Sequence, residues 1–193
     1  MSIEEVAHRL ALIWSPSMPL SSVRPISATT LSHYIRLHQC ERYLRFRLHQ
    51  PSARSLFDAY KALGVRAEQP LTPLLREAGR RFEERVMALL PPPVSDLRGS
   101  DAAATRRILA ALGPNQPHYL VQAPLAAQIG DWRCVGCADI IRATRRPDGA
   151  LDLSIADIKA SQHDRVEYRL QVTFYARLIG AMLVDLGIPL GIV

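Results

Sequence analysis

The sequence has no run of eighteen apolar residues, which argues against a membrane-spanning helix. Its only cysteines are Cys40, Cys134 and Cys137. So small and odd a count cannot build a disulfide framework, and it points to a reducing, cytoplasmic compartment. Residues 1–16 run from acidic to apolar without a basic opening or a small-residue cleavage site, so they do not read as a secretory signal. Internal repeats and low-complexity tracts are missing too. Negative charge is in short supply: 18 Asp and Glu face 24 Lys and Arg, a formal net charge of +6. Arginine carries most of the excess, at Arg36, Arg42, Arg45 and Arg47, at Arg80, Arg81 and Arg85, and at Arg142, Arg145 and Arg146. Guanidinium forks match phosphate geometry and favour a polyanionic partner, although the same charge also serves solubility.

What is present is enough apolar residue for one buried core in 193 residues. Residues 1–26 read as an N-terminal extension that ends at Arg24-Pro25, and residues 27–193 as one domain. Ser27 or Thr29 can cap a helical stretch carrying Leu31, Tyr34, Ile35, Leu37, Leu44, Phe46 and Leu48, with a break near Cys40. Thr72-Pro73 opens a second helix with Leu74, Leu75, Ala78, Phe82, Val86, Leu89 and Leu90 as its apolar stripe, stopped by Pro91-Pro92-Pro93. A third helix is expected from Asp101 to Leu112, before Gly113. The period then becomes strand-like at Tyr119–Val121, Cys134–Ile141 and Leu151–Ile158, and the turn Arg146-Pro147-Asp148-Gly149 makes the last two an antiparallel hairpin. Helical spacing returns from Arg165 to Gly187, which gives an α+β order. Residues 187–193 begin like another strand, so the domain is expected to continue past residue 193.

Three residues stand out by where these strands place them. Asp139 sits inside an apolar strand, beside Ile140 and Ile141, and a carboxylate there is costly unless it meets a cation. Asp157 and Lys159 lie two apart at the end of the next strand and so share a face. The hairpin brings Asp139 toward Asp157, and two converging carboxylates with an open position suit Mg²⁺ or Mn²⁺. Lys159 beside them can orient the attacking water or neutralise transition-state charge; the plain alternative is a surface ion pair with Asp157. On the second helix Glu83 borders the Phe82 and Val86 stripe and can face inward, with Glu84 nearer solvent. On the last helix Tyr168, Gln171 and Tyr175 share a face with polar tips, set opposite Val172 and Ile179, either as site residues or as packing residues.

In this order the residues resemble the RecB-like branch of the PD-(D/E)XK nuclease superfamily, including the CRISPR-associated RecB-like exonucleases and RecB-family domains fused to helicases. Ser27-Ala-Thr-Thr-Leu31 through Cys40-Glu-Arg-Tyr43 is similar to the opening helix of that family. Gly79-Arg-Arg-Phe-Glu83, Gly136-Cys-Ala-Asp139, Asp157-Ile-Lys159 and Gln171-Val-Thr-Phe-Tyr175 match its later motifs, so the resemblance spans residues 27–175. It implies a restriction-endonuclease-like core, with a central mixed sheet, flanking helices and a helical N-terminal part. It also implies hydrolysis of DNA phosphodiester bonds with Mg²⁺ or Mn²⁺ held by Glu83, Asp139, Asp157 and the Ile158 carbonyl. Lys159 would serve the water, and Gln171 and Tyr175 would support site and strand. DNA and a helicase or other DNA-processing module are the implied partners. The alternative is a nucleic-acid-binding module of the same fold without turnover.

Many members of that branch hold an iron–sulfur cluster (4Fe–4S) with one early cysteine and three late ones. Cys40 matches the early position, but no cysteine follows Cys137, so a cluster would need a longer chain. Cys134 and Cys137 are three apart on one strand, face opposite sides, and read as small core residues. His33, His38, His49, His118 and His163 have no metal-ligand spacing and read as solvated or DNA-facing.

Overall fold

Two long strands built from alternating apolar residues set the frame on which every candidate site residue is placed. The computed structural model describes residues 25–49, 72–159 and 165–193. Their element order is β1 (Ile26–Ser27), α1 (Ala28–Arg36), α2 (Glu41–His49), α3 (Thr72–Met87), β2 (Val94–Asp96), α4 (Ala102–Ala111), β3 (Pro117–Ile129), β4 (Trp132–Arg145), β5 (Leu151–Ala156) and α5 (Val166–Asp185). This is an α+β arrangement around an open, mixed sheet of five strands. The extension expected over residues 1–26 lies outside the described residues except for Pro25 and Ile26. Ile26 is already part of the sheet and buried. Among the described residues no helix is long and apolar enough to cross a membrane.

β3 and β4 form an antiparallel hairpin that closes at Ile129 opposite Trp132, where Gly130 takes a positive φ of 56° that glycine adopts without steric cost. β4 then pairs antiparallel with β5, from Arg145 opposite Leu151 to Ile140 opposite Ala156, as the turn at residues 146–149 led us to expect. β1 lies parallel to β4 at Cys134 and Val135, and β2 parallel to β3. Because β3 occupies one edge of β4, β1 and β5 share the other. Between them, among the described residues, 136–139 have no strand partner on that edge.

The hairpin carries a local fault at the same level. Val121 pairs with Ile140 and Ala123 with Ala138, but Gln122 and Asp139 are left out of the ladder, and Gln122 has φ 50°. On one side of the fault the core-facing residues are Ala123, Leu125, Ala127, Cys134 and Ala138; on the other they are Leu120, Ile141 and Ala143. Each strand therefore steps by three rather than two across the skipped pair, while the register is the same on either side.

Helices cover one face of this sheet. Ser27 caps α1 by accepting from the Thr30 amide at 3.2 Å. The break near Cys40 follows from left-handed His38 and Gln39, which close α1 through Gln39 N–H to the Tyr34 carbonyl at 2.8 Å. Asp101 caps α4, and the Arg145 guanidinium takes the Leu109 and Leu112 carbonyls at 2.8 and 2.9 Å. α5 buries Phe174, Tyr175, Leu178, Ile179, Met182 and Leu183. The tail lies along β5 as a single parallel bridge, Leu151 with Leu190.

Four expectations are corrected. The first strand runs from Pro117 to Ile129, not Tyr119 to Val121, because Gln122 and Pro124 hide the alternation and the Thr105 hydroxyl donates to the Pro124 carbonyl at 2.8 Å. Tyr175 and Ile179 are not on opposite sides of α5; four apart, they share its buried face. Leu74 and Leu75 on α3 and Leu89 just past its end are exposed, and that helix is tied by Arg80 and Arg81 to Glu77 and by Arg80 to Glu84. Cys137 is exposed rather than a core residue, since only one of two strand residues three apart can face the helices, and Cys134 does.

Leu178 is fully buried where α5 meets β4, so Leu178→Ala should cost about 2–5 kcal/mol. Urea unfolding checks this; a loss below about 1 kcal/mol would mean that α5 is not packed on the sheet as described.

Candidate active site

The gap in the edge of β4 is where the chemistry-bearing residues meet. Continuing the β4–β5 register one step beyond Ile140 and Ala156 sets Asp139 opposite Asp157. Asp139 is held from both sides: the Gln122 side-chain amide donates to its Oδ1 at 3.1 Å, and the Ile158 backbone N–H donates to its Oδ2 at 2.7 Å. The Ile158 bond is short, and together the two donors fix the orientation of the Asp139 carboxylate.

Asp157 is placed differently. Its side chain is 3% exposed, and the Lys159 ammonium lies 2.8 Å from its Oδ2. Neither carboxylate oxygen has a well-aligned hydrogen-bond donor among the described residues. Burial pushes the Asp157 pKa above the ordinary aspartate value; Lys159 opposes that shift and the neighbouring Asp139 adds to it. A buried carboxylate with spare lone pairs beside a second carboxylate is an environment that a cation relieves. Lys159 supplies one positive charge, and its Nζ also lies 5.9 Å from the centre of the Tyr168 ring.

α5 closes the site through a glycine. A Cβ on Gly136 would stand 2.7 Å from Tyr175 Cε1, so only glycine lets the tyrosine ring lie against β4 at this point. The Tyr175 hydroxyl accepts from the Gln171 side-chain amide at 2.8 Å. Burial first, then the charges of Asp157 and Asp139, push the tyrosine pKa up to about 12 against the lowering effect of Gln171, so the phenol stays neutral. Gln171 and Tyr175 are thus joined to each other and set beside the carboxylates.

Glu83 stands further off. Its pKa is raised by burial and then by the charge of Asp139, against the pull of Lys159, so it faces the same space. Among the described residues, however, no three Asp, Glu, His or Cys groups gather closely enough to hold a metal ion. The donor set that fits a hard cation here is Asp139 with Asp157, in oxygen chemistry suited to Mg²⁺ or Mn²⁺. The thiols do not form a cluster set: Cys134 is buried in the core and its pKa is pushed up to about 11, Cys137 is on the other side of β4, and Cys40 is exposed at the start of α2.

Gln122 was missed at the sequence level. It grips Asp139, its Oε1 lies 3.6 Å from the Cys137 thiol, and its backbone is left-handed, a conformation that non-glycine residues adopt at a cost of about 1–3 kcal/mol. The signal available was a change of parity in both strands, from Leu120 to Ala123 and from Ala138 to Ile141. No protein-family model, curated protein or solved structure matches this chain.

Two outcomes follow from this geometry. A carboxyl whose folded pKa is raised binds more protons in the folded state than in the unfolded one, so its contribution to stability falls as pH rises from the ordinary aspartate value through the raised one. Asp157→Asn should therefore be more stable than the parent at neutral pH without divalent cations, and the difference should vanish below the ordinary aspartate range. Thermal melts across pH test this, and equal stability at neutral pH would contradict the buried, under-satisfied carboxylate. Gln122→Gly should be more stable than Gln122→Val by roughly 1 kcal/mol or more, because a β-branched residue does not tolerate positive φ. Urea unfolding of the two variants decides the point; a valine variant as stable as the glycine variant would remove the backbone strain at Gln122.

Proposed function

We propose that this chain is a metal-dependent nuclease that hydrolyses DNA phosphodiester bonds, with a restriction-endonuclease-like core of the RecB-like PD-(D/E)XK type. The observation that carries the reading is the Asp157 carboxylate, buried without an aligned hydrogen-bond donor among the described residues, next to Asp139 and 2.8 Å from Lys159. A plain surface ion pair would leave Asp157 in water, where such a pair is worth little and needs no second carboxylate. The mixed sheet, with both aspartates on one antiparallel hairpin and helices before and after it, agrees with the fold this reading implies.

Mg²⁺ or Mn²⁺ would be held by Asp139 and Asp157, with Glu83 and the Ile158 carbonyl as further donors, and would supply Lewis acidity toward a phosphate oxygen. The chain's own residues have distinct tasks. Asp139, gripped by Gln122 and the Ile158 amide, is a fixed negative anchor. Lys159 donates to the attacking water or to charge that develops on the phosphate oxygens, its ammonium held at the site by Asp157. Neutral Tyr175 and its partner Gln171 wall the site and orient the strand without adding charge. Cys40 and an iron–sulfur cluster play no part in this scheme.

Purified chain should cleave DNA only with Mg²⁺ or Mn²⁺ present, and Asp139→Ala, Asp157→Ala and Lys159→Ala should each lower the rate by about 10²-fold or more. Undiminished cleavage by Asp157→Ala would sink the assignment. Salt-dependent DNA binding without cleavage in either metal would replace it with a binding module.

A further inference from the structure

Several arginines of this basic chain are already engaged within the fold. Arg80 and Arg81 pair with Glu77, Arg98 with Asp96, Arg106 with Asp185 and Arg146 with Asp148, while Arg145 is committed to backbone carbonyls. These cations are offset by partners and add little field outside the protein. Arg36, near the end of α1, and Arg165, at the start of α5, have no such partner among the described residues. Both line one cleft of about 290 Å³, with Lys159 from the candidate active site as its third cation.

The rest of the lining is matched to more than a bare anion. Tyr168 offers an aromatic ring, Ser32 and Thr29 offer hydroxyls, and Gln171 continues the wall into the site beside Tyr175. Glu167 is the one carboxylate in the lining, a single negative charge against Arg36 and Arg165, with Lys159 paired to Asp157. His33, also in the lining, has its pKa lowered by burial and then by Arg36 and Arg47, so the cleft floor already sits in a positive field. The volume is at the small end for ligand pockets, enough for one nucleotide-sized unit.

We propose that this cleft between α1 and α5 is a nucleotide subsite: it holds one nucleoside monophosphate unit of a single strand, its phosphate between Arg36 and Arg165 and its base against Tyr168. Lys159 is shared by the cleft and by the buried Asp157, so the phosphate next along the strand arrives at the carboxylates. This deepens, and rests on, the nuclease reading. Single strands suit the site, because an unpaired base is free to stack on an aromatic ring while arginines track the backbone.

The test is titration calorimetry of the full chain, without divalent cations, against thymidine 5′-monophosphate and against inorganic phosphate. Wild type should bind the nucleotide more tightly than phosphate. Arg36→Ala and Arg165→Ala should weaken both ligands, and Tyr168→Leu should weaken the nucleotide roughly tenfold while leaving phosphate unchanged. Circular dichroism confirms that each variant is folded. Nucleotide affinity unaffected by all three substitutions overturns the proposal, as does a wild type that binds phosphate and nucleotide equally. If Mg²⁺- or Mn²⁺-dependent cleavage is present but the nucleotide does not bind the cleft, the subsite falls and the nuclease reading stands. If the nucleotide binds as described but no metal supports cleavage, the subsite stands and the nuclease reading falls.

Discussion

The β3–β4 hairpin has to accommodate a carboxylate in the middle of an apolar strand, and the rest of the site depends on how it does so. Asp139 cannot occupy a regular ladder position with its side chain against the helices, where an ionised group would lose its hydration without return. The ladder instead skips Gln122 and Asp139 together. Gln122 takes a left-handed backbone and donates its side-chain amide to the displaced carboxylate. The apolar alternation resumes one residue out of phase in both strands, so the core on either side of the fault stays continuous. Local strain is thereby exchanged for a polar position at the centre of the sheet, at a level where β4 lacks a strand partner on its other edge.

The second carboxylate is treated in the opposite way. Asp139 has both oxygens hydrogen-bonded, whereas the buried Asp157 side chain has one ammonium and, among the described residues, no aligned donor. Two acids side by side thus have unequal environments, one with both oxygens hydrogen-bonded and one, Asp157, pushed by burial toward its neutral form. Such an arrangement destabilises the fold by itself and is relieved by positive charge at the shared face. The strain at Gln122 and the under-satisfied Asp157 both adjoin Asp139, a concentration of unfavourable terms typical of sites kept for chemistry rather than for stability.

Much of this was legible in the sequence, and the failures have physical causes. Ser27, Asp101 and the turn at residues 146–149 announce caps and a hairpin through local chemistry, and the structure places them so. The proximity of Asp139 and Asp157 follows from the β4–β5 register, which a turn fixes locally. The ladder itself ends at Ile140 and Ala156, so Asp157 and Lys159 lie past the end of β5 and not on the strand expected to reach Ile158. The length of β3 did not follow, because its alternation is broken by Gln122 and by Pro124, whose carbonyl is met by a threonine from another element. Nor did the role of Gln122, which exists only once two distant strands are aligned. The distance of Glu83 from the aspartates was equally hidden, since helical spacing gives the side of a helix and not where the helix sits. One compositional signal did point to the site: the sequence contains two lysines, Lys61 and Lys159, among 24 basic residues. In a chain that otherwise uses arginine, the compact ammonium is found beside the buried acid.

That choice of cation separates the two halves of the region. A guanidinium is a wide, weakly hydrated fork suited to phosphate oxygens, whereas an ammonium is a point charge that can turn among three acceptors. Lys159 sits where one charge must serve Asp157, the Tyr168 face and whatever approaches the aspartates, and a rigid fork would fit only one of these. Arg36 and Arg165 sit in the cleft, where fixed geometry toward a single anion is an advantage. The division between a mobile cation at the acids and fixed ones beside them orders the region from binding to chemistry. It also explains why the chain's net charge of +6 is a poor guide by itself: among the described residues several arginines are paired within the fold, while Arg36 and Arg165 line the cleft that Lys159 also lines.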